Sequence, residues 1–184
     1  MTIYQPAEDS YFFADFLKNY LVKAKVKTHL DMGTGSGILA ETASHFLDKK
    51  DILCVDIDKE SLDFVSKKGF KTINSDLFSN IPEKNKFDLI TFNAPYLPQD
   101  SREPLDSQRA TTGGINGDEV ALEFVDQAKQ HLTKKGKIFL LISSLTPMNK
   151  LKKFKPKIVK REKLWFEELK ILEIKNNSRI KSFK

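Results

Sequence analysis

The stretch Asp31-Met32-Gly33-Thr34-Gly35-Ser36-Gly37 decides the fold. Residues 29–32 fit a strand that leads into it, and residues 38–47 follow with helical spacing, so the sequence predicts a strand, a glycine turn and a helix. Glycines at such a turn permit a tight bend and let a ligand approach the backbone. The spacing G-x-G-x-G is not the G-x-G-x-x-G of dinucleotide sites, and no G-K-[ST] follows. The turn therefore favours a ligand that has an adenosine but no pyrophosphate.

On either side of this turn, apolar runs alternate with amphipathic helical patterns. This alternation predicts a parallel sheet covered by helices on both faces, with ligands bound beyond the carboxyl ends of its strands. The last two predicted strands are adjacent in sequence and suit an antiparallel pair near a sheet edge. Strands are predicted at 29–32, 52–55, 70–74, 87–92, 137–142, 157–165 and 168–174, and helices at 12–21, 38–47, around 62–65 and at 120–132.

Composition bounds the class of protein. The chain has 184 residues, of which 40% are hydrophobic, which predicts one globular domain with a substantial core. The single cysteine, Cys54, excludes an internal disulfide and a four-cysteine zinc site within one chain, and no metal site is predicted. No apolar run reaches the roughly 18–20 residues that span a bilayer, and the first ten residues lack a signal-peptide pattern. We expect a cytoplasmic protein without a membrane partner.

The net charge of +6 is unevenly distributed. Residues 146–184 contain 13 Lys and Arg against 4 Asp and Glu, a balance of +9, so residues 1–145 carry 6 − 9 = −3. We interpret residues 1–184 as a single domain: an amino-terminal helix and lid (1–24), a nucleoside-binding and catalytic core (25–145), and a basic strand pair with a tail (146–184). Solvated lysines on two strands explain the basic tail better than a dedicated nucleic-acid surface does. Trp165 is expected to anchor the tail strands.

Carboxylates follow the second and third predicted strands. Asp56 comes 19 residues after Gly37, at a strand end where an acid can accept both hydroxyls of an adenosine ribose. Asp58 suits the start of the next helix better. Asp76 could meet the adenine amino group while Leu77 packs on the ring, although an aspartate there is also typical of a turn.

The segment Asn93-Ala94-Pro95-Tyr96 follows the fourth predicted strand. Asn93 offers an amide oxygen as an acceptor, and Pro95 favours extended geometry at Ala94, whose carbonyl can lie beside that oxygen. Two acceptors can hold both hydrogens of a planar NH2 group, on whose face Tyr96 can pack. The nitrogen lone pair is then directed toward an electrophile, and positioning replaces a strong base. A plain turn with a packed tyrosine is the alternative.

Taken in order, the motifs resemble the S-adenosylmethionine-dependent methyltransferases of the HemK-like class. Within that class they resemble the short archaeal and eukaryotic branch, which methylates the glutamine of the Gly-Gly-Gln motif in class I peptide release factors. The resemblance covers residues 2–145 well and the tail more loosely. Its segments are Tyr4-x-Pro6-Ala7-Glu8-Asp9-Ser10, Asp31 to Gly37 as quoted, Asp76-Leu77-Phe78, Asn93-Ala94-Pro95-Tyr96-Leu97-Pro98 and Gly113-Gly114-x-x-Gly117.

The resemblance implies an α/β Rossmann-like class I methyltransferase. Its sheet would have seven mostly parallel strands, an antiparallel edge strand and helices on both faces. It implies S-adenosyl-L-methionine as the cofactor, with Asp31 near its amino group, Asp56 at the ribose, Asp76 and Leu77 at the adenine, and Glu8 and Asp9 closing the pocket. The implied cofactor-binding residues are Glu8, Asp9, Asp31, Gly33, Gly35, Gly37, Asp56, Asp76, Leu77 and Asn93; the implied catalytic residues are Asn93, Ala94, Pro95 and Tyr96, which would hold the glutamine amide.

The chain departs from the family pattern in two ways. Ala94 stands where the family usually has proline, so the carbonyl is retained but rigidity is lost. Bacterial relatives carry a helical substrate-recognition domain before the catalytic one, so recognition here is expected from residues 95–117, the tail or a partner. The resemblance also implies a release factor as substrate and a small zinc-binding activator. Residues 70–73 are a candidate edge for the activator, with an edge protected only by lysines as the alternative.

Other functions remain open from the sequence. Methylation of adenine N6 in DNA or RNA would use the same NH2 geometry after base flipping; the basic tail favours it, and the absence of a second domain that could open a duplex does not. Protein-lysine methylation is a further alternative. An inactive cofactor-binding subunit would agree with Ala94 but not with the intact Asn93 and Tyr96.

Overall fold

The computed structural model describes residues 6–100, 102, 104, 108 and 111–176. Tyr4 of the family motif and tail residues 177–184 lie outside these ranges. Seven strands form one sheet in the order β3-β2-β1-β4-β5-β7-β6. The strands are β1 (His29–Met32), β2 (Ile52–Asp56), β3 (Lys71–Asn74), β4 (Phe87–Asn93), β5 (Leu132–Ser143), β6 (Lys157–Lys163) and β7 (Glu168–Lys175).

Helices cover both faces of the sheet, because its strands alternate apolar side chains toward two separate core clusters. The described α-helices are α1 (Glu8–Leu21), α2 (Ile38–Ser44), α3 (Lys59–Lys67) and α4 (Glu119–Ala128), with short 3-10 helices at Lys49–Asp51, Lys129–His131 and Leu151–Phe154. Helices α1, α2 and α3 pack on one face, around Phe13, Leu39 and Val65. Helix α4 packs on the other face through Phe124 and Val125.

The predicted fold class is confirmed. The first five strands run parallel, and β7 is antiparallel to both β5 and β6. The antiparallel strand therefore lies one position inside the lateral edge, which β6 forms. Strand β3 forms the opposite lateral edge, as predicted, but it begins at Lys71, and Phe70 of the predicted edge 70–73 is buried in the core. Among the described residues, no helix combines the length and the apolar composition needed to cross a bilayer.

Several predicted boundaries are wrong: α2 ends at Ser44 and not at residue 47, and β5 begins at Leu132 and not at residue 137. The helix predicted to reach Leu132 ends at Ala128, because Leu132 pairs with Phe87 as the first residue of β5; an apolar residue at that position fits the helical stripe and the strand equally well. The strand predicted to reach Trp165 ends at Lys163, and Trp165 is 96% exposed in the following turn. Trp165 therefore does not anchor the tail strands.

Candidate active site

The carboxyl ends of four strands bring the predicted site residues to one level. Met32 of β1 pairs with Val55 of β2 and with Phe92 of β4, so Gly33 follows β1 between Asp56 and Asn93. Neighbouring strands lie about 4.8 Å apart, which places the backbones of Asp56 and Asn93 roughly 10 Å apart across β1. Strand order reverses between β1 and β4, the position where open α/β sheets bind ligands.

The glycine turn needs its glycines. Gly33, Gly35 and Gly37 have φ values of 59°, 49° and 81°, in the left-handed region that side chains disfavour. A Cβ on Gly33 would also lie 2.8 Å from the ring of Phe92. The turn is held to β2, because the Thr34 amide donates to the Val55 carbonyl at 3.0 Å.

The Asp56 carboxylate ties the glycine turn to the end of β2. One oxygen accepts from the Gly35 amide and the other from the Asp58 amide, each at 2.9 Å. Asp58 itself caps α3 and accepts from the Ser61 amide at 2.9 Å, as predicted for a helix start. Each Asp56 oxygen keeps a lone pair, so the carboxylate can still accept from ligand hydroxyls.

Asp31 ends a buried hydrogen-bonded chain that crosses from β1 to β4. Its two oxygens accept from the Thr34 hydroxyl at 2.8 Å and from the Thr91 hydroxyl at 2.9 Å. Thr91 uses its proton on Asp31, so it must accept from His29 Nε2, which lies 2.8 Å away. The chain therefore fixes the His29 tautomer with its proton on Nε2.

Burial sets the protonation of this chain. Desolvation raises the pKa of Asp31 to about 7, against the two threonine hydrogen bonds that favour the charged form. Desolvation also lowers the pKa of His29 to about 3, so the ring is neutral at working pH. Burial raises the pKa of Asp56 above its ordinary value, while the Asp58 and Gly35 amides oppose the shift.

Two apolar side chains lie near the ends of β2 and β3. Ile57, between Asp56 and Asp58, is 65% exposed although it is a large aliphatic residue. Leu77 is half-buried and has φ 44°, a left-handed conformation rare outside glycine. Asp76 is exposed in the turn before it. The two apolar side chains could flank a flat ring at this end of the sheet.

Asn93 meets the start of α1. Its amide nitrogen donates to Asp9 Oδ2 at 3.1 Å and faces the Ser10 hydroxyl at 3.5 Å. A carboxylate can only accept, so Asp9 fixes which end of the Asn93 amide carries the NH2 group. Asn93 Oδ1 is buried and has no hydrogen-bond partner among the described residues. Glu8 is exposed in the first turn of α1.

The segment that follows Asn93 is held from two sides. Ala94 is buried, and Pro95 and Tyr96 are half-buried. The Tyr96 carbonyl accepts from the Thr146 hydroxyl at 3.1 Å. Gly113 packs so closely that a Cβ there would lie 2.6 Å from the Pro95 carbonyl oxygen. These contacts supply some of the rigidity that the family's proline at position 94 would give.

Sequence reasoning missed several members of this site. Thr91 and His29 read as ordinary strand residues, and only the pairing of β1 with β4 brings them to Asp31. Ser10 belongs to the amino-terminal motif, which assigns it no role of its own. The single available signal was Ile57, an isoleucine between two aspartates directly after a strand, where no core position is expected.

The residues present fit the cofactor that the resemblance implies. S-adenosylmethionine carries a sulfonium and an ammonium group, and the carboxylates of Asp31 and Asp56 lie at the ends of adjacent strands beside the glycine turn. Its adenine is flat and apolar on both faces, which suits Ile57 and Leu77. The open acceptor, Asn93 Oδ1, lies on the other side of the turn and suits a second group that carries N–H hydrogens.

Fold and site together define a nucleoside-binding α/β protein, and the unpartnered Asn93 Oδ1 beside the glycine turn suits an N–H donor. The family model described as the methyltransferase small domain matches residues 12–167. The chain belongs to this family and is an S-adenosylmethionine-dependent methyltransferase, as predicted.

The names of individual similar proteins are also those of methyltransferases. A Methanocaldococcus jannaschii protein, provisionally named a protein N5-glutamine methyltransferase, is 38% identical over 92% of this chain and 90% of its own length. A Rhodopirellula baltica release factor glutamine methyltransferase is 29% identical over 73% of this chain, which spans about half (49%) of that relative. The solved structure of a Thermus thermophilus 16S rRNA guanosine N2 methyltransferase, in complex with AdoMet and guanosine, matches 93% of this chain and 43% of its own with TM-score 0.67 at 22% identity.

Proposed function

We propose that this protein methylates N5 of a protein glutamine, most specifically the glutamine of the Gly-Gly-Gln motif in a cytoplasmic peptide chain release factor. The observation that carries the proposal is the buried, unpartnered Asn93 Oδ1 beside the cofactor half of the site. The names of the M. jannaschii and R. baltica relatives support glutamine as the acceptor.

The cofactor would lie along the glycine turn. Gly33, Gly35 and Gly37 would border its methionine and ribose portions, with Asp31 near the amino group. Asp56 would accept from the ribose hydroxyls, and the adenine would lie between Ile57 and Leu77, with Asp76 at its amino group. Asn93 would border the methionine end, and Glu8 and Asp9 would close the pocket from α1. When bound, S-adenosylmethionine supplies a methyl group made electrophilic by its sulfonium.

The chain's own residues would prepare the acceptor nitrogen. An amide nitrogen is a poor nucleophile because its lone pair is delocalised into the carbonyl. Asn93 Oδ1 and the Ala94 carbonyl would each accept one N–H hydrogen, while Tyr96 packs on the amide plane. Both acceptors stabilise the positive charge that develops on the nitrogen as its lone pair forms the new N–C bond. The methylated amide is cationic when the N–C bond forms, and it then loses its proton to water, so no buried base is needed.

Asp9 would act on this step through Asn93. By accepting from Asn93 Nδ2, it holds Oδ1 toward the acceptor, and its charge polarises the amide so that Oδ1 carries more negative charge. Asp9 is thus a positioning residue in this proposal, in addition to closing the pocket.

A small zinc-binding activator would add a strand to the free lateral edge at β3. Lys71 and Asn74 are exposed there, and Thr72 and Ile73 are half-buried, so the edge is short and only partly polar. If the chain purified alone is monomeric and fully active on its acceptor, this part of the proposal is wrong. Copurification of a zinc-containing protein that is lost when Thr72, whose amide faces away from β2, is replaced by proline would support it.

The test of the proposed function is mass spectrometry of a class I release factor after incubation with the protein and S-adenosylmethionine. We expect a gain of one methyl group on the Gly-Gly-Gln glutamine, absent when Asn93→Ala is used. Methyl groups entering oligonucleotide adenines or histone lysines, with none on the release factor, would contradict the proposal.

A further inference from the structure

The turn that joins β6 to β7 exposes two large aromatic side chains. Trp165 is 96% exposed and Phe166 is 92% exposed, the highest values among the large hydrophobic residues that the structure describes. Isolated exposed apolar residues are ordinary, but two adjacent aromatic rings with almost no protein contact are not. The turn is closed by a hydrogen bond from the Leu164 amide to the Glu167 carbonyl at 2.8 Å.

Strand register places this turn at the carboxyl end of the sheet, beside the proposed acceptor site and beyond it along the strand direction. Asn93 is level with Leu141 of β5, which is level with Ile171 of β7 and through it with Lys160 of β6. Strands β6 and β7 both continue three residues past that level before the turn. At about 3.3 Å per residue the hairpin rises roughly 10 Å beyond Asn93, and its strands stand about 10 to 15 Å to the side.

The hairpin is coupled to the catalytic segment through the residues after β5. The Ser144 amide donates to the Glu168 carbonyl at 2.8 Å, and the Glu168 amide donates to the Ser144 hydroxyl at 3.0 Å. Two residues on, the Thr146 hydroxyl donates to the Tyr96 carbonyl at 3.1 Å. The hairpin and the segment that would hold the acceptor amide therefore share one hydrogen-bonded support.

The β6 side of the turn is basic, whereas Glu167 and Glu168 follow the tip on the β7 side and Glu168 pairs with Arg161 at 2.9 Å. Strand β6 carries four basic residues and one acidic residue, and its 160–163 portion, which leads to the turn, is exposed throughout. Glu167 Oε2, next to Phe166, is buried without a hydrogen-bond partner among the described residues. A hydrogen-bond donor on a bound protein could pair with it. The surface is thus aromatic at its tip and positively charged on its β6 side, where Lys160 and Lys163 have no ion pair among the described residues.

Resting on the proposed function, we propose that the tip (Trp165 and Phe166) and its basic flank (residues 160–163) dock the acceptor protein. The partner surface that fits is an apolar residue among acidic side chains, on the part of the acceptor protein that adjoins its glutamine. Aromatic anchors near a basic rim contribute mainly to affinity, and the glutamine then reaches Asn93 from one side. Because the hairpin lies outside the pocket, it acts on acceptor binding and not on the chemistry.

The test compares methylation of an intact release factor with methylation of a short peptide that lacks the docking surface. The protein, together with any subunit that copurifies, is assayed on a class I release factor and on a short Gly-Gly-Gln peptide, and release-factor binding is measured by interferometry. For W165S/F166S we expect at least a tenfold weaker Kd and higher KM for the release factor, an unchanged kcat, and peptide kinetics within twofold of wild type. Val22→Ser, an exposed apolar residue at the end of α1, serves as the control and should change none of these.

A second variant tests the charge. K160E/K163E should raise KM for the release factor and weaken its dependence on salt, whereas K134E/K135E, exposed at the opposite end of the sheet, should not. Unchanged release-factor binding in W165S/F166S overturns the docking proposal, as does an equal loss on factor and peptide. Loss of RNA binding or of dimerisation, with release-factor kinetics intact, also overturns it. A wild-type protein that methylates neither acceptor contradicts the proposed function instead.

Discussion

The two halves of the proposed site differ in how far the chain satisfies the side-chain oxygens that would face a ligand. In the donor half, at β1 and β2, the carboxylates of Asp31 and Asp56 each accept two hydrogen bonds from the chain. In the acceptor half, at the end of β4, Asn93 Oδ1 is buried and accepts none from the described residues. The donor half is therefore formed before any ligand binds, whereas the acceptor half needs an N–H donor to complete it.

This difference has an energetic meaning. A buried polar atom without a partner costs about 1–3 kcal/mol, which a ligand that supplies the hydrogen bond recovers on binding. Asp9 keeps Asn93 Oδ1 without a partner. Its carboxylate accepts from Asn93 Nδ2, so the amide cannot turn its NH2 group to the position that Oδ1 occupies. In the proposed function, the unsatisfied oxygen is the acceptor for the N–H group that receives the methyl.

The largest expected effect comes from Asn93→Ala, which breaks the acceptor half alone. Loss of one oriented hydrogen-bond partner in a transition state typically costs about 10²–10³ in kcat. We expect that loss in steady-state methyl transfer, with cofactor Kd by calorimetry within twofold of wild type. Asn19→Ala, on the exposed face of α1, is the control. A variant that keeps most of its turnover would show that this amide does not hold the acceptor.

Asp56→Ala breaks the donor half. Removing the acceptor for the ribose hydroxyls, and with it the bond from the Gly35 amide, should weaken cofactor affinity about 10- to 100-fold. Turnover at saturating cofactor should change much less. Asp58→Asn is the matched control, because asparagine also caps helices. Unchanged affinity by calorimetry would reject the ribose assignment.

Asp9→Ala tests the orientation of the Asn93 amide, because it removes the hydrogen bond that fixes this amide and leaves Asn93 itself in place. Asn93 could then turn its NH2 group into the pocket, where it would oppose the acceptor's own hydrogens. We expect kcat to fall roughly tenfold, in keeping with a lost hydrogen bond to a charged group, with cofactor Kd changed by less than threefold. Asp15→Ala, on the exposed face of the same helix, controls for α1. An effect on cofactor Kd alone would instead make Asp9 a cofactor ligand.

The last effect is on stability and not on methyl transfer, and it concerns Asp31 and His29. With pKa about 7 in the fold against 3.8 ordinarily, Asp31 holds a proton that the unfolded chain releases, so its contribution falls as pH rises from about 4 to 7. His29, with pKa about 3 against 6.5, opposes this, because the unfolded chain gains a proton as pH falls through that range.

Asp31→Asn removes only the first of these two contributions. The free energy of unfolding of the variant, from urea titrations between about pH 4.5 and 6.5, should therefore rise with pH more steeply than that of wild type. Asp63→Asn, exposed on α3, is the control. Parallel profiles for wild type and Asp31→Asn would show that the Asp31 carboxyl is ionised in the fold throughout this range.

Much of the fold was predictable because the strands carry strong local patterns. The continuous apolar run before Asp56 fits a buried parallel strand, and the glycine turn fixes how β1 meets α2. Boundaries at Leu132 and Trp165 were not predictable, since a leucine fits either a helical stripe or a strand. A large aromatic side chain such as Trp165 is usually at least partly buried, so its almost complete exposure could not be predicted from the sequence.

The site was predictable at strand ends and not inside strands. Asn93 and Asp56 could be found because each directly follows an apolar run. The contact of Asp9 with Asn93 joins residues 84 positions apart and depends on how α1 packs over β4, which no local pattern encodes. The same holds for Thr91, whose hydroxyl reaches Asp31 only through strand pairing.

The most direct test of the central claim is a crystal structure with S-adenosylhomocysteine and a Gly-Gly-Gln peptide bound. We predict that the glutamine nitrogen lies about 2.7–3.2 Å from both Asn93 Oδ1 and the Ala94 carbonyl oxygen, with Asn93 Nδ2 still on Asp9. An Asn93 amide turned with its nitrogen toward the peptide, or a glutamine bound away from this position, would contradict it.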